Sequence, residues 1–274
     1  MEENTAEFKL TNENYHSVEA RKRYLGSTQF KDFLKCEVEA LAKVNGEVEE
    51  KSSDALLFGG YVDAYFSNEL EEFTQLHPEM FNVKTGELKA PFKNVENVID
   101  AIEQDPLLLK YLSGEHQVIM TGKIAGVPFK IKIDSYHAGK CIVDQKVMRD
   151  LEPVWIEKDG KNMRVDFVTA YGYQYQGAIY QEIVRQNTGK KLPFLLAVTT
   201  KEDNPDKLLM EIEQEYLDEA LLEVEQLAPR FQAIKDGKTK PVGCGKCPVC
   251  RKTKKVTGVQ SYRKLFHGGT EIEY

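Results

Sequence analysis

Apolar positions recur at three- and four-residue spacing over residues 27–43, where Phe30, Phe33, Leu34, Val38 and Leu41 would share one helix face. Ser27 and Thr28 offer N-caps for that helix, because a hydroxyl oxygen can accept one of the first free backbone N–H groups. Residues 53–66 repeat the pattern with Ser53 as cap, and Gly59-Gly60 would permit close packing. Periodicity then lapses over residues 67–93, which carry the turn signals His77-Pro78 and Thr85-Gly86. Residues 94–112 read as one or two short helices broken at Asp105-Pro106.

The period changes to two near residue 116. Phe129, Ile131 and Ile133 alternate with Lys130 and Lys132, as in a half-buried strand. Turns at Ala125-Gly126 and over residues 137–140 divide the stretch 116–147 into three strands of an antiparallel meander. A long helix is expected over residues 166–187, a buried strand over 191–199 and a last amphipathic helix over 218–234. Residues 152–161, with Trp155 and Asp159-Gly160, read as a loop after the third strand. The order predicts a mixed α/β (α+β) domain around a small sheet.

Composition adds limits. With 274 residues, 41% apolar and 10% aromatic, the chain can bury a sizeable core. No apolar run nears the roughly 18 residues of a membrane span, and the N-terminus lacks both the basic and the apolar part of a signal peptide, so a soluble cytoplasmic protein with no membrane partner is expected. The net charge of −7 is uneven: residues 235–264 hold ten basic residues against Asp236 alone. An acidic body with a basic tail suits a protein that meets a polyanion on one face, although charge alone favours a solvated tail.

The chemistry concentrates at Asp134 and, ten residues on, Asp144-Gln145-Lys146. Carboxylates placed across a short turn on adjacent antiparallel strands can converge, and hard oxygen ligands suit Mg²⁺ or Mn²⁺. Asp144 and Lys146 share a strand face, so the ammonium would lie beside the metal and could orient a water for attack on phosphate. An Asp at a strand end is more often a cap or a solvated side chain, and Asp-x-Lys alone is common.

Taken together, these residues resemble the PD-(D/E)XK nuclease superfamily, in particular the RecB/RecE-like exonucleases of phages and prophages. Phe58-Gly59-Gly60-Tyr61-Val62-Asp63 resembles the helix that carries an early metal ligand there, with Asp63 where a His is common. The segment 171–180 resembles the helix after the core with its Gln-x-x-x-Tyr pair, here Gln176 and Tyr180, and residues 11–16 and 27–36 resemble the lead-in. The resemblance spans about residues 10–200. It implies a restriction-endonuclease-like fold in one domain, 1–274, with a helical lead-in (1–112), a catalytic core (113–235) and a Cys-rich basic segment (236–274). It further implies that Asp63, Asp134, Asp144 and the Gln145 backbone carbonyl bind Mg²⁺ or Mn²⁺, with Glu115 a spare carboxylate. Lys146 would position the attacking water, and Gln176 and Tyr180 would support the catalytic face. The implied activity is an exonuclease on double-stranded DNA ends in a bacterial host, giving 5′-phosphate and 3′-hydroxyl. A single-strand annealing recombinase is the implied partner, and a homo-oligomer is compatible with it. Arg251, Lys252, Lys254 and Lys255 would meet DNA phosphates. The competing class is a non-catalytic DNA-binding module with the same fold.

Five cysteines, three of them in Cys244-x-x-Cys247-x-x-Cys250, suit metal ligation better than disulfides. That spacing fits iron–sulfur or zinc and requires a fourth ligand. AddB-type and CRISPR-associated relatives of the superfamily look similar, holding a [4Fe–4S] cluster with one early and three late cysteines. The resemblance makes Cys36 the fourth ligand, of [4Fe–4S] or Zn²⁺; Cys141 reads as core.

Overall fold

The computed structural model describes residues 8–48, 53–158 and 161–259, and the backbone of 264–267 and 270–273. Seven helices lead: α1 (Val18–Arg23), α2 (Ser27–Lys35), α3 (Glu37–Val44), α4 (Asp54–Phe66), α5 (Leu70–Leu76), α6 (Val95–Glu103) and α7 (Pro106–Leu112). The strands β1 (Glu115–Ile124), β2 (Val127–His137) and β3 (Cys141–Met148) follow, then β4 (Val154–Lys158) and β5 (Lys161–Val165). Helices α8 (Phe167–Tyr171) and α9 (Tyr173–Thr188) precede β6 (Phe194–Thr200), β7 (Lys207–Glu211) and α10 (Gln214–Lys235). A short α11 (Pro248–Thr253) and the strands β8 (Lys264–His267) and β9 (Thr270–Glu273) close the order.

One five-stranded sheet has the order β1-β2-β3-β6-β7. All its neighbours are antiparallel except β3 and β6, so the sheet is mixed and β3 is where it changes sense. The period of two sorts β3 between two cores: Ile142 packs with Phe30, Phe129, Ile179 and Phe231, while Cys141 and Val143 pack with Phe58, Val62, Val98 and Ile102. Helices α2, α9 and α10 therefore cover one face and α4, α6 and α7 the other. Each fully buried Phe or Ile contributes about 1.5–3 kcal/mol, which holds β3 from both sides.

Several sequence expectations change here. The helix over 27–43 is two, with Cys36 ending α2 and starting α3 in extended backbone. Its first cap is Gly26, which makes no side-chain hydrogen bond, rather than Ser27 or Thr28. The helix over 166–187 is likewise broken, because Gly172 turns left-handed (φ 66°) between α8 and α9. The stretch after β3 is a β-hairpin, β4–β5, and not a loop. It stands largely exposed, so neither face had to be apolar and the alternation was muted; its turn at Asp159-Gly160 lies outside the described residues. The three-stranded meander and the break at Asp105-Pro106 stand as expected. The β2–β3 turn is tight: Lys140 N–H donates to the His137 carbonyl at 2.9 Å around Gly139 (φ 70°). Among the described residues no helix is long and apolar enough to cross a membrane.

Candidate active site

Strands β2 and β3 pair over only three rungs, His137 with Cys141, Tyr136 with Ile142 and Ser135 with Val143. The next rung would join Asp134 to Asp144. There the strands part, β3 continuing along β6, and both carboxylates stand at the fork. Asp134 Oδ2 bridges it by accepting from the Gln145 backbone N–H at 2.9 Å. In an extended strand the N–H and C=O of one residue leave on the same edge, so the Gln145 carbonyl also faces the fork.

Each side chain at the fork is held from a different element. Gln176 of α9 donates to Asp144 Oδ1 at 2.6 Å, and Lys146 pairs with Asp144 Oδ2. Tyr180, one turn along α9, donates to the Lys132 carbonyl at 2.9 Å and so ties the helix to β2. From α4, Asp63 Oδ2 accepts from Gln117 Nε2 at 3.0 Å. Gln117 reaches it from a left-handed backbone (φ 54°), opposite Asp134, an uncommon conformation for a non-glycine residue.

The electrostatics fit a cation. Burial, then the charges of Asp144 and Asp63, push the Asp134 carboxyl well above the usual range. Asp63 is raised by burial and by Asp144, against the pull of Lys132. Among the described residues Asp144 Oδ2 is buried without a hydrogen-bond partner and is paired with the Lys146 ammonium. Crowded, desolvated anions of this kind are relieved by a divalent ion, so Asp134, Asp144, Asp63 and the Gln145 carbonyl fit the Mg²⁺ or Mn²⁺ set. Among the described residues only the cysteines bring three or more ligand atoms within 4.8 Å of one another, so the carboxylates are spread wider. Glu115 is exposed on β1, whereas Asp63 is half-buried and its carboxyl feels the charges of Asp144 and Lys146.

Burial opposes charge on Lys146, but Asp144 and Asp134 outweigh it and hold its proton more tightly than usual. Lys31 of α2 lies on the other flank, brought down to about 8 by burial and by Lys146. Both ammonium groups stand over the Tyr173 ring, at 5.3 and 5.4 Å.

A cleft of about 380 Å³ opens from the carboxylates toward the N-terminal helices. Lys130, Lys132, His16 and Arg21 line it together with the first turn of α2. Lys130 is buried beside Tyr15, donating to its carbonyl, and burial followed by Arg21 and Lys132 brings it to about 8. Burial and the same three cations lower His16 to about 4, so it is neutral at pH 7. The expectation that Lys130 and Lys132 mark a solvent face is thus corrected. Residues 130, 132 and 134 share one face by the period of two, and the lead-in covers it. Asp134 was the available signal, since its parity put the lysines on the face of the carboxylates. Gln117, Lys31 and Tyr173 carried no such signal, because only the fold brings them near.

The cysteines form a second group, with Cys36 208 to 214 residues before the other three. Cys36 Sγ lies 3.7 Å from Cys247 Sγ and 3.6 Å from Cys250 Sγ, with Cys244 completing the set. Cys141 is buried against α4 and α6, as expected. Arg251, Lys252, Lys254 and Lys255 are exposed in and after α11, outside the lining of the cleft.

A mixed sheet with carboxylates and a lysine at the parting of two strands defines the PD-(D/E)XK nuclease superfamily. A family model described as a PDDEXK-like domain of unknown function matches residues 26–253, and the chain belongs to that family. A crystal structure of a protein from Eubacterium rectale, described as a candidate exonuclease, has a TM-score of 0.86 at 44% identity. The match covers 93% of this chain and 97% of that one. No curated protein matches.

Proposed function

We propose that the chain is a divalent-metal-dependent exodeoxyribonuclease that resects double-stranded DNA ends. The observation that carries this reading is the fork, where Asp134, Asp144 and Lys146 meet beside a cleft with a cationic wall. Asp134, Asp144 and Asp63 would hold the ion, which would supply Lewis acidity toward a phosphoryl oxygen. Gln176 fixes the Asp144 carboxylate, and Gln117 fixes that of Asp63. Lys146, paired with Asp144, orients the attacking water and offsets charge growing on the phosphoryl oxygens. Lys130 and Lys132 hold the phosphodiester backbone against the fork. Hydrolysis leaves a 5′-phosphate and a 3′-hydroxyl, and the resected strand would pass to a single-strand annealing protein. The similarity to the E. rectale protein supports the exonuclease reading.

A linear duplex in Mg²⁺ or Mn²⁺ is expected to disappear from its ends, while a covalently closed circle of the same sequence survives. Cutting of the circle would make the enzyme an endonuclease. Binding without cleavage of either substrate would leave the non-catalytic module.

A further inference from the structure

The geometry points to a single tetrahedral zinc ion at Cys36, Cys244, Cys247 and Cys250, in place of the iron–sulfur cluster that the resemblance implies. Four sulfurs bound to one zinc at about 2.3 Å stand about 3.8 Å apart along each edge of the tetrahedron. Cys36 Sγ stands 3.7 and 3.6 Å from the sulfurs of Cys247 and Cys250, and all four sulfurs lie within 4.8 Å of one another. In a [4Fe–4S] cluster each thiolate caps its own iron and points outward, which sets the sulfurs wider, on the order of 6 Å. No such core fits between these four.

The surroundings are built for thiolates. Backbone N–H groups aim at sulfur: Cys244 toward Cys36 at 3.4 Å, Cys247 toward Cys244 at 3.2 Å, and Cys250 toward Cys247 at 3.4 Å. Such outer hydrogen bonds orient ligands and spread their charge. A Cβ on Gly243 would come within 2.9 Å of Cys250 Sγ, and Gly245 makes its turn in the left-handed region (φ 73°). Both glycines are used to fold the loop around its sulfurs.

Metal analysis of the full chain, purified without chelator, is expected to give one zinc per chain, with no iron or acid-labile sulfide, in colourless protein. Replacement by Co²⁺ should give the visible bands of a tetrahedral cobalt tetrathiolate, and Cys247→Ser should lose the metal while Cys141→Ala keeps it. Iron and sulfide in brown, anaerobically purified protein would overturn the assignment. So would metal-free folded protein, or a Cys36–Cys250 disulfide found by mass spectrometry; none of these needs a variant to fold.

A separate observation concerns the β4–β5 hairpin, and it rests on the nuclease reading. We infer that the hairpin stacks unpaired bases of the strand that leaves the active site. Trp155, the sole tryptophan, is 67% exposed, and Tyr171 is 47% exposed. The two line a cleft of about 390 Å³ that begins at Met148 and Arg149, two and three residues past Lys146. Arg164, paired with Trp155 across the hairpin, has its guanidinium 6.0 Å from the indole, while Arg149 projects into solvent beside Asp150. The rings continue inward: Tyr171 lies 5.8 Å from Tyr173, whose ring is the one under Lys146. Aromatic faces beside arginines accept any base, which suits a sequence-blind nuclease.

Because Trp155 is the only indole, its fluorescence reports on this cleft alone. Without added divalent metal, an oligothymidylate of about 16 nucleotides should quench it, and an abasic strand of equal length should not. Trp155→Ala should weaken oligonucleotide binding about 5- to 100-fold, and Trp155→Phe should restore most of it. If the strand binds by anisotropy while the emission is unchanged, or the abasic strand quenches equally, the stacking site is wrong and the nuclease reading stands. If neither single strand nor duplex binds, the DNA reading falls with it.

Discussion

Asp144→Asn is expected to lower metal-dependent cleavage by at least about 10²–10³-fold, the scale of losing one group that stabilises transition-state charge. The side chain keeps its shape, so the fold should persist. What changes is that the Lys146 ammonium loses its anion and the ion site loses a buried oxygen that has no other partner. The Asp144 charge that adds to the rise of Asp134 would also go, while burial, the larger cause, would still hold that carboxyl up. Duplex binding measured by anisotropy without metal should hold near the wild-type level, because the cleft wall of Lys130 and Lys132 is untouched. Full cleavage by Asp144→Asn in Mg²⁺ would remove the fork from the mechanism. Equal loss of binding and cleavage would assign Asp144 to folding.

The second large effect concerns stability. Cys36→Ser and Cys247→Ser should each release the metal and lower the thermal midpoint by a similar amount, since either opens the same four-sulfur site. A bond between Cys36 and Cys244 closes a loop of 208 residues. Chain-entropy arguments value such closure at roughly 5.4 kcal/mol of constraint on the unfolded chain. Arg230 fastened to Glu37 at 2.7 Å, and Glu37 accepting from the Val242 N–H, would survive the substitution and soften the loss. Differential scanning calorimetry of the two variants is the check. A midpoint unchanged in either would show that the sulfurs close nothing.

The sequence made the meander legible because its strands alternate strictly and its turns carry glycine. Asp134, Asp144 and Lys146 were legible because strand parity places side chains without knowledge of the rest of the fold. Breaks inside long periodic stretches were not. Cys36 and Gly172 interrupt helices whose apolar spacing runs on undisturbed across them, so periodicity alone gives one helix where backbone geometry gives two. Strand β7 was missed as well. It is a half-buried edge strand of five residues, Lys207–Glu211, too short for its alternation to stand out beside the charged segment before it. Gln117 and Lys31 lay beyond any local rule, being 54 and 140 residues from Asp63 and Tyr171, the groups to which they donate.

The three-rung ladder between β2 and β3 makes the little turn at Gly139 a gauge for the two carboxylates, Asp134 and Asp144, 5 residues on either side. Side chains alternate faces along a strand, so one residue more or less in that turn would carry Asp144 to the face where Val143 now packs against α4 and α6. Surface turns usually absorb insertions without harm. This one sits at the surface yet sets the register of the fork, and the freedom to vary its length belongs instead to connections that hold no such register.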